Sequence, residues 1–448
     1  MAKAAFYTLG CKVNQYDTEA LVEQFCRRGY EIVDWRTEAD VYVINTCAVT
    51  GRGEQKSRQM VKRLRREHPE ALIVVVGCYP QVAQEEVRKI PGVNLVVGTG
   101  QKGRIFELLE EAAEAEGPVV AVGDVMKIRD FEETPIGAFE GRTRATVKIQ
   151  EGCTQFCSYC IIPYARGPMR SREPEKVTEE IKRLVEAGYR EVVLTGIHLG
   201  AYGRDLHPRH TLAALLHRIH PVPGLERIRL SSVEPTEVDE ELIQGVKNLP
   251  KVCRHLHIPL QSGSDRILKR MNRPYRTADY ARVIEGVRDQ VPEVGITTDV
   301  MVGFPGETEE DLEDTLKFVG QMAFSRLHVF KYSPRRGTPA ARMTGRVPAR
   351  EKERRSQLVI ALGEKLALRF GQRFVGETVQ VLVEQTREDE ECGEGCLVGE
   401  GLTDNYLRVV ARGKMGLKPN SLVRVLVTAA TKDGLRGTVV PGAQSPCS

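Results

Sequence analysis

Short β-branched runs alternating with helix-length amphipathic stretches dominate the chain up to about residue 371 and restrict it to folds built from βα units. Three runs come first: AAFYTLG (4–10), VYVINT (41–46) and LIVVVG (72–77). Their spacing, about 30–36 residues per unit, is that of right-handed crossovers in a parallel sheet. A helix is expected over 17–29, with Ala20, Leu21, Gln24 and Phe25 at helical spacing and Gly29 ending it. Residues 1–117 therefore read as an open parallel α/β domain. A short apolar strand and a polar stretch make 118–141 a connecting segment.

Six further runs lie within 142–371: ATVKI (145–149), EVVLTG (191–196), RIRLSS (227–232), HLHIPL (255–260), GITTDVMVG (295–303) and RLHVFKY (326–332). Helical patterns stand between them, for example at 175–187, 238–247, 278–290 and 307–322. Six βα units predict a partial (β/α)6 barrel, with chemistry at the carboxyl ends of the strands. From residue 372 to 442 the pattern changes to short alternating strands with Gly, Asp and Asn turns: TVQVLVE (378–384), LRVVA (407–411), SLVRVLVTAA (421–430) and RGTVV (436–440). This predicts a small antiparallel β-barrel of the oligonucleotide-binding kind. The whole is a three-part α/β chain, as its 448 residues allow.

No apolar run approaches the ~20 residues of a membrane span, and no signal-peptide pattern opens the chain, so a cytoplasmic protein is expected. In a reducing compartment eleven cysteines do not make a disulfide framework, and metal is the first alternative. EGCTQFCSYC places Cys153, Cys157 and Cys160 in a C-x3-C-x2-C array directly after the first barrel strand. Three thiolates in one loop can hold three irons of a [4Fe–4S] cube and leave the fourth open to the amino and carboxylate groups of S-adenosylmethionine. One-electron reduction then releases a 5′-deoxyadenosyl radical that abstracts hydrogen from carbon. A zinc site lacking its fourth ligand and unrelated buried cysteines are the competing readings.

Cys11, Cys47 and Cys78 each follow one of the three N-terminal strands (YTLGC, VINTC, VVVGC). In a parallel sheet they emerge on one edge, where three thiolates can hold a second cluster; buried packing cysteines are the alternative. Cys26, Cys253, Cys392, Cys396 and Cys447 carry no such pattern. Tyr159 and the strand-end residues Thr195, Gly196, Ser231, Glu234 and Gly303 are candidates for holding S-adenosylmethionine at the barrel mouth.

With six placed cysteines the sequence resembles the radical-SAM methylthiotransferases along essentially its whole length. The resemblance implies an N-terminal cluster-binding domain, a radical-SAM barrel and a C-terminal TRAM domain that binds RNA in the tRNA-modifying members. TLGCKVNQYDTE, EGCTQFCSYCIIPYARGPMRSR and TGIHLGAYG resemble the branch acting on threonylcarbamoyladenosine in tRNA. The isopentenyladenosine branch would open more like TFGCQMN, and the branch acting on a ribosomal-protein aspartate more like SLGCPKN. What the resemblance implies is two [4Fe–4S] clusters, on Cys153, Cys157 and Cys160 and on Cys11, Cys47 and Cys78, facing one cavity. The first serves hydrogen abstraction from carbon 2 of the adenine at tRNA position 37, and the second delivers a methylated sulfur. Such a reaction also requires an electron donor and a sulfur source, neither named by the sequence. Nothing demands more than a monomer. A sister methylthiotransferase and a non-catalytic iron–sulfur RNA-binding protein are the alternatives, and a mere sensor does not need the barrel.

The stretch 51–68 carries seven Lys/Arg against two Glu, and 350–373 is also basic. Residues 372–448 hold nine Lys/Arg against ten Asp/Glu, an acidic balance for an RNA-binding barrel. Phosphate contacts are therefore expected from 142–172 and from the helix after Cys47. Tyr406 is read as a core residue or a base-stacking one.

Overall fold

The computed structural model describes residues 1–134, 136, 143–389, 396–413 and 417–440. Arg142, Cys392, Cys447, part of the connecting segment and the end of the acidic run at 388–391 lie outside the described residues.

The N-terminal unit is one parallel sheet of six strands: β1 (Lys3–Thr8), β2 (Glu31–Val33), β3 (Val41–Thr46), β4 (Leu72–Gly77), β5 (Leu95–Val97) and β6 (Val119–Ala121), in the order β2-β1-β3-β4-β5-β6. Helices cover both faces, so β3 and β4 are buried throughout or nearly so and read as continuous apolar runs. Met60, Val61 and Leu64 of the helix Gly51–Glu67 close one face. Leu21 and Phe25 of the helix Lys12–Arg27, with Ile105 and Leu108, close the other. The first helix begins five residues earlier than its periodicity suggests, because Cys11 takes an extended N-cap conformation. It ends where expected, with Gly29 at φ +82°.

The six barrel strands are all present: β7 (Arg144–Lys148), β8 (Glu191–Thr195), β9 (Arg227–Leu230), β10 (His255–His257), β11 (Gly295–Val302) and β12 (Arg326–Lys331). They form two three-stranded parallel sheets joined by bridges Ile228↔Val252 and Ser232↔His257, giving an open arc. Val147, Leu194, Ile228, Leu256 and Ile296 point outward into the main core beneath the helices. By strand alternation Thr146, Lys148, Val193, His257, Asp299 and His328 line the lumen.

The first helix docks on β7 at one end of the arc. There the Tyr16 hydroxyl meets the Glu180 carboxylate at 3.2 Å and the Thr134 carbonyl, also at 3.2 Å. Glu133 pairs with Arg172 at 2.7 Å, so this part of the connecting segment is tied down rather than loose.

After the long helix Ala349–Gln372 the chain closes a five-stranded barrel of β13 (Thr378–Glu388), β14 (Leu397–Thr403), β15 (Arg408–Gly413), β16 (Leu422–Thr431) and β17 (Gly434–Val439), in the order β13-β14-β15-β17-β16. It is not antiparallel throughout: β15 and β17 run parallel, with Val409 opposite Leu435. β14 has no counterpart in the sequence pattern, because Gly399 and Gly401 interrupt its alternation. A Cβ at Gly401 would collide with the Leu382 carbonyl of β13, so close strand approach requires the glycine.

Candidate active site

β1, β3 and β4 are neighbours, and the cysteines after them share one sheet edge. Cys11 is exposed, Cys47 half-buried and Cys78 buried. Asn14 stitches the loops together, its amide donating to the Leu9 carbonyl at 2.8 Å and the Thr46 carbonyl at 2.9 Å. Gly10 sits at φ +116°, and a Cβ there would stand 3.3 Å from the Cys47 sulfur. The Val49 amide donates to Cys47 Sγ at 3.4 Å and Arg166 Nε to Cys78 Sγ at 3.3 Å. Burial pushes the Cys47 thiol up to about 11, with Cys78 and Cys11 adding to the rise. Burial also raises Cys78, against the pull of Arg166.

The second triad occupies the loop after β7. Phe156 at φ 47° turns the chain between Cys153 and Cys157, and the Cys160 amide donates to the Cys157 carbonyl at 2.9 Å. Arg273 Nη1 donates to Cys157 Sγ at 3.3 Å while the same guanidinium pairs with Glu234. Cys153 Sγ lies 3.9 Å from His198 Nδ1, and His198 Nε2 meets Glu237 at 3.1 Å. Burial lifts Cys160 to about 12.

Burial raises the thiols of Cys47, Cys78, Cys157 and Cys160, while N–H groups already point at the sulfurs of Cys47, Cys78, Cys153 and Cys157. That donor set fits a thiolate-ligated iron–sulfur cluster, which would displace the protons on binding.

The loops that carry the two triads pack against each other. Ala48 and Cys78 of the N-terminal sheet pack with Ile161 and Ala165 of the barrel loop. A cavity of about 210 Å³ has Val49 and Thr50 on one side and Tyr159, Cys160, Asp299 and Met301 on the other. A second, wider opening of about 430 Å³ lies beside Cys47, with Arg52 and Lys56 on its rim.

The candidate S-adenosylmethionine residues are placed unequally. Thr195 and Ser231 are buried at the strand ends, and the Ser231 hydroxyl has no hydrogen-bond partner among the described residues, leaving it available. Glu234 is held by Arg273. Tyr159 packs beside Ile267, Phe304 and Tyr332. Gly196 has Gln150 where a Cβ would sit, at 2.9 Å. Gly303 faces elsewhere: its amide donates to Glu307 Oε2 at 2.5 Å and Lys352 fills its Cβ position.

The residues that sequence reading passed over are charged and buried. Arg166 bonds Asp17 at 2.8 Å, with Glu151 and Asn14 also on its guanidinium. Lys148 meets Asp17 at 2.7 Å and Glu151 at 3.1 Å, and Lys102 meets Asp17 at 2.7 Å. This network joins the two units directly behind Cys78. Burial alone would raise the Asp17 carboxyl, but Lys102, Lys148 and Arg166 together hold it well below the usual range.

The expectation of phosphate contacts from 142–172 is therefore corrected for the arginines described. Arg166, Arg170 and Arg172 are buried, and Arg144 pairs with Glu384 at 2.7 Å. In the second basic run, Arg354 and Arg355 are likewise taken by Glu309, Glu351 and Glu307. Arg52, Lys56 and Lys62 remain exposed on the helix after Cys47. Tyr406 is neither core nor free: its ring stacks on His255 at 4.4 Å with Arg229 over it at 5.1 Å.

A partial βα barrel with a three-cysteine loop after its first strand defines a radical-SAM enzyme. Residues 147–319 match the model of the radical SAM superfamily, and residues 3–98 that of an uncharacterized protein family, UPF0004. The chain is 46% identical to the threonylcarbamoyladenosine tRNA methylthiotransferase MtaB of Bacillus subtilis, over 92% of this chain and 91% of that one. It is 37% identical to the tRNA-2-methylthio-N(6)-dimethylallyladenosine synthase of Caldicellulosiruptor saccharolyticus, over 97% and 91%. Among solved structures it shares the fold of the radical S-adenosylmethionine methyltransferase TsrM from Kitasatospora setae, with a TM-score of 0.57, 16% identity and coverage of 76% and 77%. The chain belongs to the radical-SAM methylthiotransferase family. Among the described residues no helix is long and apolar enough to cross a membrane.

Proposed function

We propose that this enzyme converts N(6)-threonylcarbamoyladenosine at position 37 of tRNA to its 2-methylthio derivative. The observation that carries the reading is the packing of the Cys78 strand end against the loop that follows Cys160, in a chain 46% identical to a relative named for that reaction. Cys153, Cys157 and Cys160 would hold one [4Fe–4S] cluster and Cys11, Cys47 and Cys78 the other. When bound, these clusters supply reductive cleavage of S-adenosylmethionine and the sulfur to be transferred.

The protein's own part is placement. Arg273 orients Cys157 and fixes Glu234 at the strand ends, and the buried Ser231 hydroxyl is free to accept or donate to S-adenosylmethionine. Arg166 locks Cys78 to the barrel, so the distance between the triads is set by a buried ion network rather than by a flexible hinge. Arg52 and Lys56 beside Cys47 suit the phosphates flanking a base that enters the chamber. A cytoplasmic setting, where tRNA is found, follows from the same reading.

Relatives named for the dimethylallyl substrate support the sister reading less strongly, at 37% identity. Nucleoside analysis of tRNA from a deletion strain separates the two. Loss of the 2-methylthio group from threonylcarbamoyladenosine alone is expected; an unchanged level of that nucleoside would refute the proposal.

A further inference from the structure

The lumen of the arc is a well with a floor. Arg227 donates to the Leu402 carbonyl at 2.9 Å, and Arg229 to the Thr403 and Asp404 carbonyls, each at 2.9 Å. With Tyr406 stacked on His255, these contacts seat the C-terminal barrel against the amino ends of the strands. Above that seat lies a cavity of about 470 Å³, bounded by Lys12, Gln15, Thr146, Val193, Arg326 and Tyr406 among others.

Its charges do not balance. Arg144 is matched by Glu384 at 2.7 Å, Arg408 by Glu400, and Glu191 is spent on Arg229 at 2.7 Å. Lys12 and Arg326 have no ion-pair partner among the described residues. Asp299, the acid of the adjoining wall, is flanked by His257 at 3.3 Å and His328 at 3.7 Å. Asp299 also lines the chamber at Cys160, and the strand that begins at Arg326 continues to Phe330 and Lys331 on that chamber's wall, so floor and chamber are neighbours along one strand. Lys12 itself directly follows Cys11.

Two unmatched cations lining one concave, half-open site favour an anion and disfavour an apolar group, which would cover them without offering a partner. The threonylcarbamoyl arm on N6 of the base ends in a carboxylate; an isopentenyl arm ends in methyl groups. We propose that Lys12 and Arg326 bind the carboxylate of the threonylcarbamoyl substituent and thereby select that base over one with an apolar arm. The inference rests on the substrate reading given above.

The test measures binding of the cluster-loaded enzyme to three anticodon stem-loops, carrying threonylcarbamoyladenosine, isopentenyladenosine or unmodified adenosine at position 37. Lys12→Gln and Arg326→Gln should each weaken binding of the threonylcarbamoyl stem-loop by about 10–100-fold. The unmodified stem-loop should change by less than about twofold, and Lys12→Arg should keep most of the wild-type preference. Iron content and tRNA-free cleavage of S-adenosylmethionine report whether the sites are intact. Arg326, on a strand that carries no cysteine, gives a second variant should Lys12→Gln lose iron. Equal weakening on modified and unmodified stem-loops would mean a backbone phosphate contact and overturn the proposal, as would no weakening at all. Wild-type enzyme that prefers the isopentenyl stem-loop sinks the substrate reading itself; a threonylcarbamoyl preference untouched by both variants sinks only this inference.

Discussion

Each cysteine triad has one sulfur held by an arginine at 3.3 Å, yet the two arginines live in different surroundings. Arg273 serves Cys157 from within the same barrel, and its partner Glu234 keeps a side-chain exposure of 20%. Arg166 serves Cys78 across the interface between units and is fully enclosed, with Asp17 and Glu151 buried beside it. The barrel triad comes from one loop of eight residues, so a local turn brings it together. The N-terminal triad comes from three strand ends and exists only when the sheet is folded and docked. One site is local and robust; the other depends on the tertiary structure and on an ion network.

That contrast can be broken experimentally. Cys157→Ala should abolish cleavage of S-adenosylmethionine, measured as 5′-deoxyadenosine release. Retention of full activity would remove the barrel triad from the chemistry. Arg166→Met should cost about 3–5 kcal/mol in urea unfolding, since it leaves buried carboxylates short of a counter-charge. Arg273→Met should cost less, about 1–2 kcal/mol, because water reaches Glu234. Equal costs would mean that the two arginines are not differently embedded.

The smallest effect expected is that of mild acid. The folded-state Asp17 carboxyl is depressed, so its contribution is fully present above the unfolded value near ~4 and is lost as pH falls through the folded one. Stability of the docked N-terminal unit should therefore stay flat in this contribution from pH 7 to about 4 and decline only below. In Asp17→Asn that acid-dependent decline should shrink; an unchanged decline would place the responsible carboxylate elsewhere.

The sequence displayed what repeats and what is local. Thirteen of the strands could be read from β-branched or alternating runs, and the six cysteines from their positions at strand ends. β14 was hidden because Gly399 and Gly401 carry no alternation, their role being close approach to β13. The start of the first helix was hidden because Cys11, not a usual capping residue, precedes it. Arg166 and Arg172 looked like surface cations because charge in a sequence carries no sign of burial. Only the fold shows that their partners, Asp17 and Glu180, lie 149 and 8 residues away. Lys12 and Arg326, far apart in the chain, become one feature only when the lumen is closed below by the C-terminal barrel.

If the two cysteine triads hold separate clusters, one can be emptied without the other. Iron quantification with Mössbauer spectroscopy on anaerobically reconstituted enzyme shows this, comparing the wild type with the triple variant Cys11→Ala/Cys47→Ala/Cys78→Ala. The triple variant should keep about half the iron and still cleave S-adenosylmethionine without transferring sulfur. Iron content equal to that of the wild type would contradict it.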